Sequence, residues 1–109
     1  MKLLIVGSRS IENFDLTPYV SSETSMIISG GATGIDELAE RFADEHRLSK
    51  MIFRPQYARY GRAAPLKRNE EMVNAADEIL VIWDGVSKGT AYTVKYAQKQ
   101  GKPLRILQV

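Results

Sequence analysis

Residues 25–43 read SMIISGGATGIDELAERFA, and the fold turns on how this stretch changes character at its middle. Ser25–Ser29 is a short apolar run holding Met26, Ile27 and Ile28, and it stops at Gly30-Gly31. From Gly34 to Arg47 the residues Ile35, Leu38, Ala39, Phe42 and Ala43 recur at the i, i+3, i+4, i+7, i+8 positions of an amphipathic helix. A strand, a glycine turn and a helix therefore follow one another with no linker between them. Thr33 and Asp36 carry capping-box spacing, which predicts that Thr33 caps the start of the helix.

Working outward, the same alternation repeats. Lys2–Val6 ends at Gly7, Met51–Phe53 at Arg54-Pro55, Glu78–Trp83 at Asp84-Gly85, and Leu104–Val109 is the last run. These runs are near-continuous rather than alternating, which marks strands buried on both faces. Between them one helix is predicted from about Pro65 to Ala76, with Leu66, Met72, Val73 and Ala76 inward. Another runs from Gly89-Thr90 to Gly101, where Pro103 bars continuation. A short helix around Asp15–Val20 links the first two strands. The order predicts one α/β domain over residues 1–109, a Rossmann-like doubly wound parallel sheet of about five strands in the order 3-2-1-4-5 with helices on both faces.

Composition narrows the function classes. The 44% hydrophobic and 26% charged residues exclude wholesale disorder. The absence of Cys excludes disulfides, thiolate nucleophiles and cysteine metal sites, and a single His, His46, leaves no histidine cluster, so no metal is expected. Apolar runs are about five residues long against roughly 20 for a membrane span, and Met1–Val6 leads straight into structure without a signal peptide. A cytoplasmic protein without membrane contact is the expectation. The net charge is only +2, yet His46–Asn69 holds Lys50, Arg54, Arg59, Arg62, Lys67 and Arg68 with no Asp or Glu among them. A local basic segment on a nearly neutral chain suits a small anionic ligand or is simply a solvated face.

In a doubly wound sheet the ligand crevice lies beyond the strand C-termini. That edge gathers Gly7-Ser8-Arg9-Ser10, Gly30–Asp36, Arg54–Arg68 and Asp84–Thr90. The turn Gly30-Gly31-Ala32-Thr33-Gly34 enters a helix directly, and glycines there let backbone N–H groups approach a phosphate. The alternative is a plain tight turn. Asp36 caps this helix and would repel a close phosphate, so a ribose hydroxyl is its better partner. Asp84-Gly85-Val86-Ser87-Lys88-Gly89-Thr90 repeats the device with hydroxyl and ammonium donors, though not as a Walker A loop. Arg9 and Arg68 are candidates to hold a phosphate, Arg62 and Lys67 to share it, and Asn69 lies beside them. At the rim, Arg9 and Arg68 are expected to matter little for stability. Tyr57, Tyr60 and Trp83 are candidates to stack on a base, and His46 to pack near its helix C-terminus.

These residues resemble the SLOG superfamily of Rossmann-like proteins, close to its small YspA/YpsA-related branch. The resemblance covers nearly the whole chain and rests on Ile5-Val6-Gly7-Ser8-Arg9, Ser29–Asp36, Gly61-Arg62 with Arg68-Asn69, and Trp83-Asp84-Gly85 through Ser87-Lys88-Gly89-Thr90. The Gly-Ala-Thr-Gly-Ile-Asp run is similar to a loop of the single-stranded-DNA binder DprA. Arg68-Asn69 and Gly89-Thr90 are similar to motifs of LOG phosphoribohydrolases. One departure stands out: Thr93 occupies the position of the LOG catalytic Glu, and Lys88 rather than Gly precedes Gly89. The resemblance implies a binder of a nucleotide or nucleotide-derived phosphate ligand, such as AMP, NAD or an ADP-ribose-like compound, acting as sensor or effector, with no certain cofactor. Its alternatives are a LOG-like hydrolase, for which Asp36, Asp84 and Arg68 are the remaining catalytic candidates, and a DprA-like nucleic-acid binder. A homodimer is expected by the same likeness.

Overall fold

The five apolar runs become five parallel strands in a computed structural model that describes residues 1–109. In chain order they are β1 (Lys2–Gly7), β2 (Met26–Ser29), β3 (Ser49–Ile52), β4 (Glu78–Trp83) and β5 (Leu104–Gln108). The sheet order is β3-β2-β1-β4-β5, as the sequence predicts. Leu3 to Gly7 of β1 run in register with Glu78 to Ile82 of β4, so the order reverses between these two strands. The helices are α1 (Ile35–Glu45), the single turn α2 (Tyr57–Tyr60), α3 (Ala64–Ala75) and α4 (Lys88–Lys99). None is long and apolar enough to cross a membrane.

Successive residues of a strand point to opposite faces, and here both sets are buried. Leu3, Ile5, Ile27, Leu80 and Ile82 pack against Ile35, Ala39 and Phe42 of α1 on one face. Leu4, Val6, Ile28, Ile79 and Val81 pack against Met72 and Val73 of α3 and Val94 and Ala97 of α4 on the other. Helices thus cover both faces, and the continuous hydrophobicity of the strands is explained. Gly7 is required where β1 ends, because a Cβ there would stand 2.3 Å from the Ile82 carbonyl oxygen and 2.6 Å from Ile35 Cγ1.

Several local expectations need correction. The Asp15–Val20 helix shrinks to a 3-10 turn over Thr17–Tyr19, with Pro18 in it and the Thr17 N–H donating to Asp15 Oδ1. Ser49-Lys50 joins the third strand despite its polarity, because β3 is an edge strand with one side in water. Leu66 is not inward but 38% exposed, since the first turn of α3 projects past the sheet. The capping box does not form: α1 begins after Gly34, whose φ of +73° admits only glycine comfortably, and Thr33 makes no cap bond. The Asp36 carboxylate instead reaches back to the Ala32 N–H at 3.1 Å. α2 arises in a segment that the sequence reads only as locally basic. His46 lies at the end of α1, stacked on Phe42 with ring centroids 3.9 Å apart.

Candidate functional site

A cleft of about 440 Å³ opens over the C-terminal ends of β1 and β4, where the strand order reverses. Its walls include Gly7, Arg9 and Ser10 after β1, Ala32 and Asp36 around the start of α1, and Pro65, Leu66, Arg68 and Asn69 from α3. Asp84, Ser87, Gly89, Thr90 and Thr93 complete it from the β4–α4 side. The chain places these groups together because consecutive strands run parallel, so every strand-to-helix turn emerges on one edge.

The β4–α4 turn is organised by Asp84. Its Oδ1 accepts the N–H groups of Val86 and Ser87, each at 2.9 Å, and these bonds hold the carboxyl below the usual carboxylate range. The Asp84 N–H donates to Ser8 Oγ at 2.9 Å, tying this turn to the end of β1. The indole N–H of Trp83 donates to the Ser87 carbonyl at 3.2 Å, so Trp83 pins the loop. The first helical hydrogen bond of α4 runs from the Ala91 N–H to the Ser87 carbonyl, and no side chain caps the helix. The amides of Lys88, Gly89 and Thr90 precede that bond and have no backbone acceptor. Thr93 is 1% exposed and its hydroxyl donates to the Gly89 carbonyl at 3.0 Å.

The glycine turn between β2 and α1 is arranged differently. The Gly31 N–H donates to Ser29 Oγ, the Ala32 N–H to Asp36 Oδ2 and the Ile35 N–H to the Ser8 carbonyl. The N–H groups of Thr33, Gly34, Asp36 and Glu37 have no protein acceptor, but the first turn of α1 carries the Asp36 and Glu37 carboxylates. Beneath it lies Arg68, 7% exposed, whose guanidinium donates to the carbonyls of Gly30 (2.6 Å) and Phe53 (3.3 Å) and to Asn69 Oδ1 (2.8 Å). Arg68 is therefore no surface arginine: it clamps the turn to the end of β3. Burial pulls it below the usual guanidinium value, with the neighbouring Asp36 opposing and Arg9 adding to the fall. Burial likewise pushes the Asp36 carboxyl upward, against the Ala32 N–H and the positive charge of Arg68. A Cβ at Gly30 would stand 2.9 Å from both Arg68 Nη1 and Asp36 Oδ2, which is why that position is open.

Of the residues expected at the site, Gly7, Arg9, Ala32, Asp36, Arg68, Asn69, Asp84, Ser87, Gly89 and Thr90 line the cleft. Gly30, Gly31 and Thr33 line a neighbouring cavity of about 390 Å³, together with Arg54 and Tyr57. Ser8 is 1% exposed and lies behind the wall. Gly34, Arg62 and Lys88 line neither space, and Lys67 faces Glu70 at 3.8 Å, so Arg62, Lys67 and Arg68 do not converge on one point. Ser10, Pro65 and Leu66, which the sequence places along this edge without a ligand role, also line the cleft, as does Met72, which it reads as core. The signal for the apolar wall was present, since a helix starting at Pro65 must begin at the C-terminal edge of the sheet.

In comparison with known proteins, the chain is similar to the Gene 61 protein of Mycobacterium phage D29, with 34% identity over 85 residues that cover 72% of this chain and 68% of the phage protein. No protein-family model and no solved structure matches.

Proposed function

The chain belongs to the family of the Gene 61 protein of Mycobacterium phage D29, a name that states no chemistry, and we propose from the cleft itself that it binds a nucleotide or nucleotide-derived phosphate ligand, as a sensor or effector. One observation carries this: Gly89 and Thr90, whose amides at the start of α4 have no acceptor, and the exposed Arg9 line one cleft at the reversal of strand order. Amides at a helix start, aligned with its dipole, favour an anion. A guanidinium adds directed charge, and it holds phosphate bidentately. A cleft of this size suits a small molecule rather than a single ion. The likeness to the SLOG superfamily belongs to the same proposal, supported by the meeting of Gly7, Asp36, Arg68-Asn69 and Gly89-Thr90 around this cleft. So do a cytoplasmic location and a homodimer, which sedimentation at several concentrations checks.

A hydrolase has one observation on its side, the buried Asp36 carboxyl in the cleft wall. Against it, Thr93 offers a hydroxyl where cleavage of a glycosidic bond calls for a carboxylate. A thermal-shift and titration series with AMP, ADP-ribose, NAD and a dT oligomer separates these functions. Ligand at a hundred times Kd stabilises by about 2.7 kcal/mol. Release of free base from AMP would favour the hydrolase. Tight dT binding whose log–log salt slope changes by about −0.7 per phosphate would favour a nucleic-acid binder.

A further inference from the structure

Beside the cleft lies the second cavity of about 390 Å³, and the two share Arg9, Ala32 and Arg68 as a common wall. Tyr57, the first residue of α2, borders this second space with 61% of its surface exposed. Charges of both signs line it: Arg9, Arg54 and Arg68 with Glu37 and Glu40. Arg54 is held in place, since its guanidinium donates to the Gly31 carbonyl at 3.4 Å. A Cβ on Gly31 would lie 2.6 Å from that guanidinium, so the turn and Arg54 are in close approach.

A second phosphate is a poor occupant for this space, because two acidic residues, Glu37 and Glu40, line it. A flat, polar, neutral group fits better: an aromatic face receives it, and a carboxylate accepts its N–H donors. We propose that the second cavity is a nucleobase subsite in which Tyr57 stacks on the base of the ligand whose phosphate sits in the first cleft. This assignment rests on the phosphate reading above and adds the residue that discriminates nucleotide from sugar phosphate.

The experiment compares AMP with ribose 5-phosphate by calorimetric titration, on the unaltered chain and on Tyr57→Ala, Tyr57→Phe, Leu66→Ala and Arg9→Ala. Stacking of a base on an aromatic side chain predicts that the unaltered chain prefers AMP by at least about fivefold. Tyr57→Ala is expected to remove that preference by weakening AMP alone, and Tyr57→Phe to keep it. Because Tyr57 is exposed, its removal leaves the core intact. A preference that survives Tyr57→Ala, or one lost in Leu66→Ala instead, would overturn the assignment, as would equal affinity in the unaltered chain. Ribose 5-phosphate binding that Arg9→Ala weakens keeps the phosphate reading standing even then. Binding of neither compound overturns both.

Discussion

The β2–α1 turn and the β4–α4 turn are built from similar words, glycines and hydroxyl residues between a buried strand and a helix, and they differ in the charge set against the helix that follows. Asp36 and Glu37 stand in the first turn of α1, and no acidic residue stands in that of α4. In the first, the N–H groups of Gly31, Ala32 and Ile35 are taken by Ser29, Asp36 and Ser8. In the second, Asp84 takes those of Val86 and Ser87 and leaves the next three unpartnered. The carboxylate decides the difference. Asp36 sits after its turn, inside the helix, and closes the turn from within. Asp84 sits before its turn and organises the loop without covering the helix start. Both helix starts leave amides unpartnered, and only that of α4 is free of a carboxylate that would repel an anion.

The strongest way to break this comparison is through Arg68, which makes the first turn rigid. Arg68→Ala leaves the carbonyls of Gly30 and Phe53 without their donor and Asp36 with Arg9 as its remaining cation. A loss of about 3 kcal/mol is expected, seen in chemical denaturation as a lower midpoint at unchanged slope. A loss under about 0.5 kcal/mol would mean that Arg68 is the rim residue its sequence suggests. Arg9→Ala should behave oppositely, with stability nearly unchanged and affinity for a phosphate ligand weakened by about 1.5–3 kcal/mol in titration.

The two carboxylates sharpen the contrast through pH. Asp36 is raised in the fold, so its contribution is most favourable below the ordinary carboxylate value and is lost as pH rises. Asp36→Asn should therefore be more stable than the unaltered chain at neutral pH, with the advantage closing in acid. Asp84 is lowered, so its stabilisation is present above the ordinary value and lost as pH falls through the folded one. Asp84→Asn should be less stable at neutral pH, and that deficit should also close in acid. Denaturation of both variants from pH 3 to 7 checks the signs, and equal signs would remove the distinction between the turns. Smallest of all, Ser8→Ala leaves the Asp84 N–H without its acceptor and should cost about 1 kcal/mol in the same measurement.

The sheet and its order were legible because each strand is a saturated apolar run, and such runs admit few arrangements. Leu3 to Val6 and Ile79 to Ile82 needed no partner information to be read as central strands. The edge where the strand-to-helix turns gather around a cleft was legible for the same reason. What was not legible was which polar group satisfies which. The sequence shows Thr33 and Asp36 at capping distance, but the φ of Gly34 turns the chain so that Asp36 bonds Ala32. Arg68 reads as one cation in a basic segment, and only the fold carries it under Gly30 while Lys67 beside it faces water. Helical spacing predicts that Leu66 points inward, yet the sheet ends before reaching it. Each of these outcomes depends on distances between segments far apart in the chain.

The central claim is that phosphate sits at the start of α4 beside Arg9, and not in the glycine turn before α1. Amide chemical-shift mapping during titration with inorganic phosphate tests it most directly. The amides of Lys88, Gly89 and Thr90 should shift together and saturably, with that of Arg9, while those of Gly31, Ala32 and Ile35 stay in place. Saturable shifts confined to Gly30–Asp36, with 88–90 unmoved, would contradict the account.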